Sequence, residues 1–408
     1  MRKMFSHCLK LSYKDTAQQN SYVTIPRAAN SFDNTEIAAN VDEDIIDSLT
    51  GGRLVGSVTS FENFAECPLR YYLRYGVDLK EREEFTFSPV NFGVVLHAVI
   101  REVCDEIKKN GESYYLISEE KRREMVKRSV AAITDIYQNS ILKDSSRNSF
   151  MIKRMEDLAD RTVWAMGEQL KCGDFVPFVF EHKFNMEVGD GDRKQLMSGT
   201  IDRVDICENG TDVYVRIIDY KTGKKDFNIV KTYYGIDIQL MVYMEAAMKL
   251  VAKMRPGKNV IPAGVFYYNI SDPIVSATTE SADEIEDKIK GELRLKGMVN
   301  SDKDIAEKMD NTEGTSLNIP VSRKADGGFD SRRSKVMNTE QFNMLGRFVD
   351  VRAVDTADRI AGGDIRRSPY KDGQFSSCDR CPYGAVCGFS VDLPGCNYRK
   401  LKKFDDEV

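Results

Sequence analysis

The chain has 408 residues, 41% of them hydrophobic and 30% charged, with a formal net charge of −5. That balance belongs to a soluble globular protein of one large or two ordinary domains, and it excludes a disordered chain. No apolar run reaches the roughly eighteen residues of a membrane span. The opening MRKMFSHCLKLSYKDT lacks the apolar stretch of a secretory signal, so a cytoplasmic protein with no membrane partner is expected. The acidic balance argues mildly against nucleic acid as a partner. It does not exclude one, because phosphate contacts need only a local basic surface and a carboxylate metal site adds negative charge of its own.

Residues 1–56 read as a lead-in segment, expected to be partly disordered. They contain a polar stretch from Gln18 to Asn20 and an acidic run from Asp42 to Asp47, without a strong apolar period. From Thr59 a helix is predicted, capped by Thr59 or Ser60 with Glu62 in its first turn and broken at Pro68. Residues 92–109 form an amphipathic pattern through Phe92, Leu96, Val99 and Val103, with His97 beside the stripe. Further helices are predicted over 118–137 and 149–170. The period then shortens to two, giving strands over 176–188, 196–207 and 213–223, with Asn209–Gly210 as the turn between the last two. A helix over 233–251, a strand over 260–270, an exposed loop from Arg323 to Arg333, a helix over 338–360 and a cysteine-rich end complete the order. No internal repeat and no GxxxxGK[ST] phosphate loop occurs, so ATP hydrolysis of the P-loop kind is not expected.

Two short segments carry chemistry: Gly199-Thr-Ile-Asp202 and Ile218-Asp219-Tyr-Lys221. Asp219 and Lys221 are two apart on a strand, so they share a face at roughly 7 Å. Asp202 lies on the neighbouring strand. Two such carboxylates can share a hard cation, magnesium being the typical one, with a lysine beside it to act on water or phosphate oxygens. A charge ending so apolar a strand is costly unless paired or metal-bound, and the bland alternative is a surface Asp–Lys pair. His97 is a candidate further ligand, or an ordinary histidine at a helix edge. Glu181 is another candidate, or part of an exposed charged strand end with His182 and Lys183. Gln239 and Tyr243 are an i,i+4 pair that can steady the lysine or touch DNA, or lie on a plain helix surface. Lys221, Lys224, Lys225 and Lys231, and separately Arg323, Lys324, Arg332, Arg333 and Lys335, are basic groups that suit phosphates or simple solvation equally.

Of nine cysteines, Cys378, Cys381 and Cys387 cluster within ten residues. Cys67, in Glu66-Cys67-Pro68, is the best distant fourth partner, and Cys396 is the rival. Four cysteines hold either zinc or a [4Fe–4S] cluster, and spacing alone does not choose. With only three histidines, the chain must do most of its chemistry with other groups.

Taken together, SVTSFENFAECPLRYYLRYGVDLKERE, FGVVLHAVI, GTIDRVD, IIDYKTG, YYGIDIQLMVYMEAA, PAGVFYYNI and CDRCPYGAVCGF resemble, in order and over roughly 56–396, the C-terminal nuclease domain of the AddB family. AddB is the second subunit of bacterial AddAB helicase–nucleases and sits within the PD-(D/E)XK superfamily beside RecB-type nucleases. The resemblance implies an α/β, restriction-endonuclease-like core over 57–396, with a central mixed sheet flanked by helices and its ends joined by an iron–sulfur site, before a tail over 397–408. It implies that His97, Asp202, Asp219 and the main-chain carbonyl of Tyr220 bind magnesium or manganese, and that Lys221 is the catalytic lysine. Gln239 and Tyr243 match the family's Q-x-x-x-Y motif, and Cys67, Cys378, Cys381 and Cys387 match the ligands of a structural [4Fe–4S] cluster. It further implies exonuclease action on the 5′-ended strand of single-stranded or unwound DNA in double-strand break repair, alongside an AddA-type helicase–nuclease. Family members normally carry a large N-terminal helicase-like region that is not evident in this sequence. The rival readings are another iron–sulfur PD-(D/E)XK exonuclease of viral or CRISPR-associated type, a non-catalytic DNA-binding or scaffold module, and a zinc-stabilised structural protein.

Overall fold

The computed structural model describes residues 40–42, 44–45, 55–80, 89–136, 146–188, 195–276, 280–393 and 395–401. The chain runs β1 (Val55–Ser57), α1 (Val58–Glu66), α2 (Pro68–Tyr71), α3 (Pro89–Lys109), α4 (Glu119–Ile136), α5 (Ser146–Lys171), β2 (Val176–Val188), β3 (Gln195–Asn209) and β4 (Asp212–Lys221). It continues through α6 (Ile229–Tyr233), α7 (Gln239–Met254), β5 (Asn259–Asn269), α8 (Ala282–Glu292), β6 (Lys296–Asn300), α9 (Lys303–Met309), β7 (Val336–Met337) and α10 (Thr339–Ala361). A small sheet of β8 (Tyr370–Asp372), β9 (Phe375–Ser376) and β10 (Arg399–Lys400) closes it, with α11 (Gly384–Cys387) between β9 and β10. A short π-helical turn, Tyr72–Gly76, extends α2.

The main sheet is mixed and seven-stranded, ordered β1-β3-β4-β5-β6-β7 with β2 also on β3. Pairs β2–β3, β3–β4 and β5–β6 are antiparallel, while β1–β3, β4–β5 and β6–β7 are parallel. Alternation along β4 explains why both faces are covered. Val213, Val215 and Ile217 join a core with α7 and α10, while Tyr214, Ile218 and Tyr220 join one with α3, α4 and α5.

On the second face lies a charged group in the core. Arg203 makes a two-point contact with Asp205 (both bonds 2.7 Å), and Arg216 reaches the same carboxylate at 2.8 Å. Asp205 and Arg216 sit opposite each other in the β3–β4 ladder, and all three side chains are essentially inaccessible. Burial opposes the Asp205 charge, but the two guanidiniums hold its carboxyl below the usual range. Arg216 also lies 4.8 Å over the Phe175 ring, and its two terminal nitrogens have no hydrogen-bond partner.

Local signals explain most boundaries. Ser57 caps α1, not Thr59 or Ser60, because its hydroxyl accepts the Ser60 amide at 3.1 Å. The chain is extended at Cys67 and resumes at Pro68, which needs no amide partner at a helix start. The helix expected over 233–251 starts later, at Gln239, and a separate short helix, α6, ends at Tyr233. Gly235 turns left-handed (φ +77°) between α6 and α7, so regular helix restarts only at Gln239. Gly210 (φ +59°) makes the β3–β4 turn as expected.

Most of the expected 1–56 lead-in lies outside the described residues. Within it, Val41 is buried against Tyr72 and Ile365, and its amide donates to Gly363 at 2.8 Å. Any side chain on Gly363 would strike the Val41 carbonyl. In the expected tail, Arg399–Lys400 pairs with β8. Among the described residues no helix is long and apolar enough to cross a membrane.

Candidate active site

The site forms where strands part. Between Gln195 and Ile206, β3 is paired on one side by β2. Its other side pairs with β1 through residues 196–198 and with β4 through 203–209, leaving 199–202 between them. Past the pair Arg203↔Ile218 the amide of Tyr220 therefore lacks a β3 carbonyl. It donates instead to Asp202 Oδ2 at 2.6 Å, which answers the demand that buried amides be paired.

His97 enters from α3. Its Nδ1 lies 3.5 Å from Asp202 Oδ2 and 3.8 Å from Glu181 Oε1. His97, Glu181 and Asp202 each offer a ligand atom within 4.8 Å of the others. Glu181 holds φ at +48° in β2, a conformation costing a non-glycine residue roughly 1–2 kcal/mol. Burial opposes charge on His97, but hydrogen bonds to Asp202 and Glu181 push its imidazolium up to about 10.

Asp219 adjoins this group without being one of the three. It is 2% exposed; burial first, and then the Asp202 charge, push its carboxyl up to about 7. Its Oδ2 lies 2.6 Å from Lys221 Nζ, yet accepts no well-aligned hydrogen bond. Two carboxylates and an imidazole converging on one point, with a third, buried carboxylate beside them whose charge is met by Lys221, suit a divalent cation. Tyr220 places its ring in the core, 5.9 Å from His97 and edge-on.

Lys221 is held from the other layer. Its Nζ donates to Gln239 Oε1 at 2.9 Å, and Gln239 Nε2 donates to the Tyr243 hydroxyl at 2.9 Å. The Tyr243 ring packs edge-on against Phe184. Both rings pass over Gly199, where an added Cβ would come within 2.7 Å of Phe184 and 3.0 Å of Tyr243. Glu62, given only a first-turn role from sequence, accepts the amides of Ile238 and Gln239 at 2.9 and 3.0 Å.

The basic residues divide. Lys225 pairs with Asp237 at 3.0 Å, and the Tyr267 hydroxyl donates to the same carboxylate at 2.6 Å. Arg323 donates to the carbonyls of Ala306, Asp310 and Thr312, so it braces a loop. Lys335 pairs with Asp226, while Lys224, Lys324, Arg332 and Arg333 are exposed.

Cys67, Cys378, Cys381 and Cys387 line one small cavity of about 20 Å³ with Leu73 and Phe389, and Cys396 is buried outside it. Cys67 stands at the extended break after α1, and Cys387 ends α11 before the left-handed Gly388. Burial raises the Cys378 thiol and pushes that of Cys387 up to about 11, with the neighbouring sulfurs adding to both. Among the described residues, no three of these sulfurs gather within 4.8 Å of one another.

Comparison with known proteins agrees with this architecture. Residues 56–388 match the family model of the PD-(D/E)XK nuclease superfamily. Three similar curated proteins are each named as the B-type subunit of an ATP-dependent helicase/deoxyribonuclease. The protein of Clostridium acetobutylicum is 35% identical over 88% of this chain and 32% of its own length. That of Clostridium botulinum is 32% identical over 94% and 34%, and that of Caldanaerobacter subterraneus 33% over 89% and 32%. The chain thus spans about a third of the length of the curated relatives it matches. With a mixed sheet flanked by helices and a family match covering most of its length, the chain belongs to the PD-(D/E)XK nuclease superfamily.

Proposed function

We propose that this chain is a magnesium- or manganese-dependent deoxyribonuclease domain that hydrolyses phosphodiester bonds in single-stranded DNA. The observation that carries this reading is the meeting of His97, Glu181 and Asp202, with Asp219 adjoining them, beside a lysine held by Gln239 and Tyr243. His97, Asp202, Asp219 and the Tyr220 carbonyl are the cation's ligands in this reading, and Glu181 joins them. A bound cation supplies polarisation of the phosphodiester and a more acidic water. Lys221 faces the attacked phosphate beside Asp219. Gln239 fixes the direction of the lysine and Tyr243 fixes Gln239, so the amine arrives positioned.

In the same reading Cys67, Cys378, Cys381 and Cys387 hold a [4Fe–4S] cluster. When bound, the cluster supplies a crosslink between residues over three hundred positions apart.

The chain acts, in this proposal, on the 5′-ended strand during double-strand break repair, beside an AddA-type helicase–nuclease that supplies ATP-driven unwinding. Relatives named as helicase/deoxyribonuclease subunits, matching across 88–94% of the chain, favour this over a viral or CRISPR-associated exonuclease. Digestion of oligonucleotides labelled at one end tests polarity: early loss of a 5′ label supports the reading, and early loss of a 3′ label refutes it.

A further inference from the structure

Away from the cation site lies a cleft of about 340 Å³ between α1, the turn before α7, α10 and residues 366–368. Arg352, Arg359, Arg366 and Arg399 line it. Among the described residues their carboxylate partners are Asp355 and Asp364. Four guanidiniums against two carboxylates leave an excess of two positive charges.

Arg399 is the least balanced of the four. It donates to the carbonyls of Ala65, Glu66 and Ser368. Among the described residues no carboxylate lies within ion-pair distance of it. Burial, together with Arg359 and Arg366, lowers its affinity for its proton. Arg399 is half-buried with no counter-charge, an arrangement that costs energy unless an anion completes the set.

A second observation adjoins the first. Tyr233 and Phe348 stack with centroids 4.9 Å apart and planes 7° from parallel. Arg352 lies over both rings, at 5.6 and 5.5 Å, and Tyr233 is 36% exposed. Bound guanidiniums beside an accessible aromatic stack are the two elements of single-strand recognition: cations for the backbone and a flat ring for a base. The wall at Tyr234 and Gly235 leads straight into α7, whose first residue holds Lys221.

We propose that this cleft is a binding site for single-stranded DNA, separate from the cation site: Arg352, Arg366 and Arg399 meet backbone phosphates and the Tyr233–Phe348 stack receives a base. The choice of DNA rests on the nuclease reading above. The charge excess and the aromatic stack do not depend on it.

The test is equilibrium binding of a fluorescent oligothymidylate of about sixteen nucleotides to the whole chain in EDTA, where no cutting occurs. Arg352→Ala/Arg366→Ala is expected to weaken binding about tenfold and to flatten the dependence of affinity on salt by about one to two counterions. Tyr233→Ala, which changes no charge, is expected to weaken it about fivefold or more, and Tyr233→Phe to restore it. Melting curves confirm that each variant is folded. Folded variants that bind as the parent does would overturn the proposal, as would equal losses for Tyr233→Phe and Tyr233→Ala. The two readings separate cleanly. A chain that binds through the cleft but never cuts fails as a nuclease and keeps this site; one that cuts while every variant binds normally loses the site and remains a nuclease.

Discussion

Glu62 accepts the amide of Gln239 at 3.0 Å, although the two residues lie 177 positions apart on different helices. The carboxylate caps the amide end of α7, where helix dipole and unpaired N–H groups favour an acid. The same α7 residue receives Lys221, and the same α1 ends at Cys67. One short helix therefore connects the cysteine cavity to the candidate lysine. Burial pushes the Glu62 carboxyl up to about 7, against the opposing pull of Lys225 and Lys221.

Removing that cap should loosen the lysine. Glu62→Ala is expected to cost about 1–2 kcal/mol in denaturant unfolding. It should also slow single-turnover cleavage by about tenfold to a hundredfold, the effect of a small misplacement. Glu62→Gln, whose oxygen can accept the same two amides, should recover most of the rate. Normal cleavage by Glu62→Ala would show that the cap does not position Lys221.

The buried trio on the opposite face makes a different prediction. Asp205→Ala leaves Arg203 and Arg216 in the core without a counter-charge. The expected loss is about 3–5 kcal/mol, read from urea titration. A loss below about 1 kcal/mol would mean that the core relaxes around two bare guanidiniums.

Asp350 gives the chain a pH dependence. Burial and the Glu245 carboxylate push the Asp350 carboxyl up from 3.8 to about 7. An acid whose folded pKa is raised binds its proton more tightly when folded. Its stabilising share is full below the unfolded value and is lost as pH rises through the folded value. Asp350→Asn should therefore raise the melting temperature at pH 8 relative to the parent and change it little near pH 4. An equal shift at both values would refute the assignment. The side chain is half-buried, so a shift of a few degrees is expected, not tens.

The cysteines separate by role. If the proposed cluster is held there, Cys67→Ser should abolish the visible absorption of the anaerobically purified chain and lower its thermal stability, because the link from α1 to the C-terminal segment is lost. Cys396→Ser, outside the cavity, should keep both. Loss of the chromophore in Cys396→Ser with retention in Cys67→Ser would reverse the ligand choice. A colourless parent carrying zinc would remove the cluster.

The strands and long helices were legible because each buries a defined face, which imposes a period of two or of 3.6 on the apolar residues. Asp219 and Lys221 were legible as one face for the same reason, and their side chains meet at 2.6 Å. What stayed hidden depended on partners distant in sequence. The duty of Glu62 required knowing that α7 begins beside α1. The closeness of Glu181 to His97 required the register of β2 on β3, which a bulge between Pro177 and Val179 shifts by one. Arg203, Asp205 and Arg216 drew no reading from the sequence, and only their cross-strand pairing reveals a closed charge group. Gly235 did carry a signal. A glycine two residues into the helix expected over 233–251 was the reason to start that helix later.

The central claim is a cation-dependent cut at the Asp202–Asp219 site, and the most direct measurement is degradation of single-stranded DNA by the anaerobically purified chain with and without magnesium or manganese. The account predicts cleavage that requires the cation and falls by at least about a hundredfold in folded Asp219→Ala. Undiminished cleavage by folded Asp219→Ala, or no cleavage by the intact, cluster-bearing chain with either ion, would contradict it.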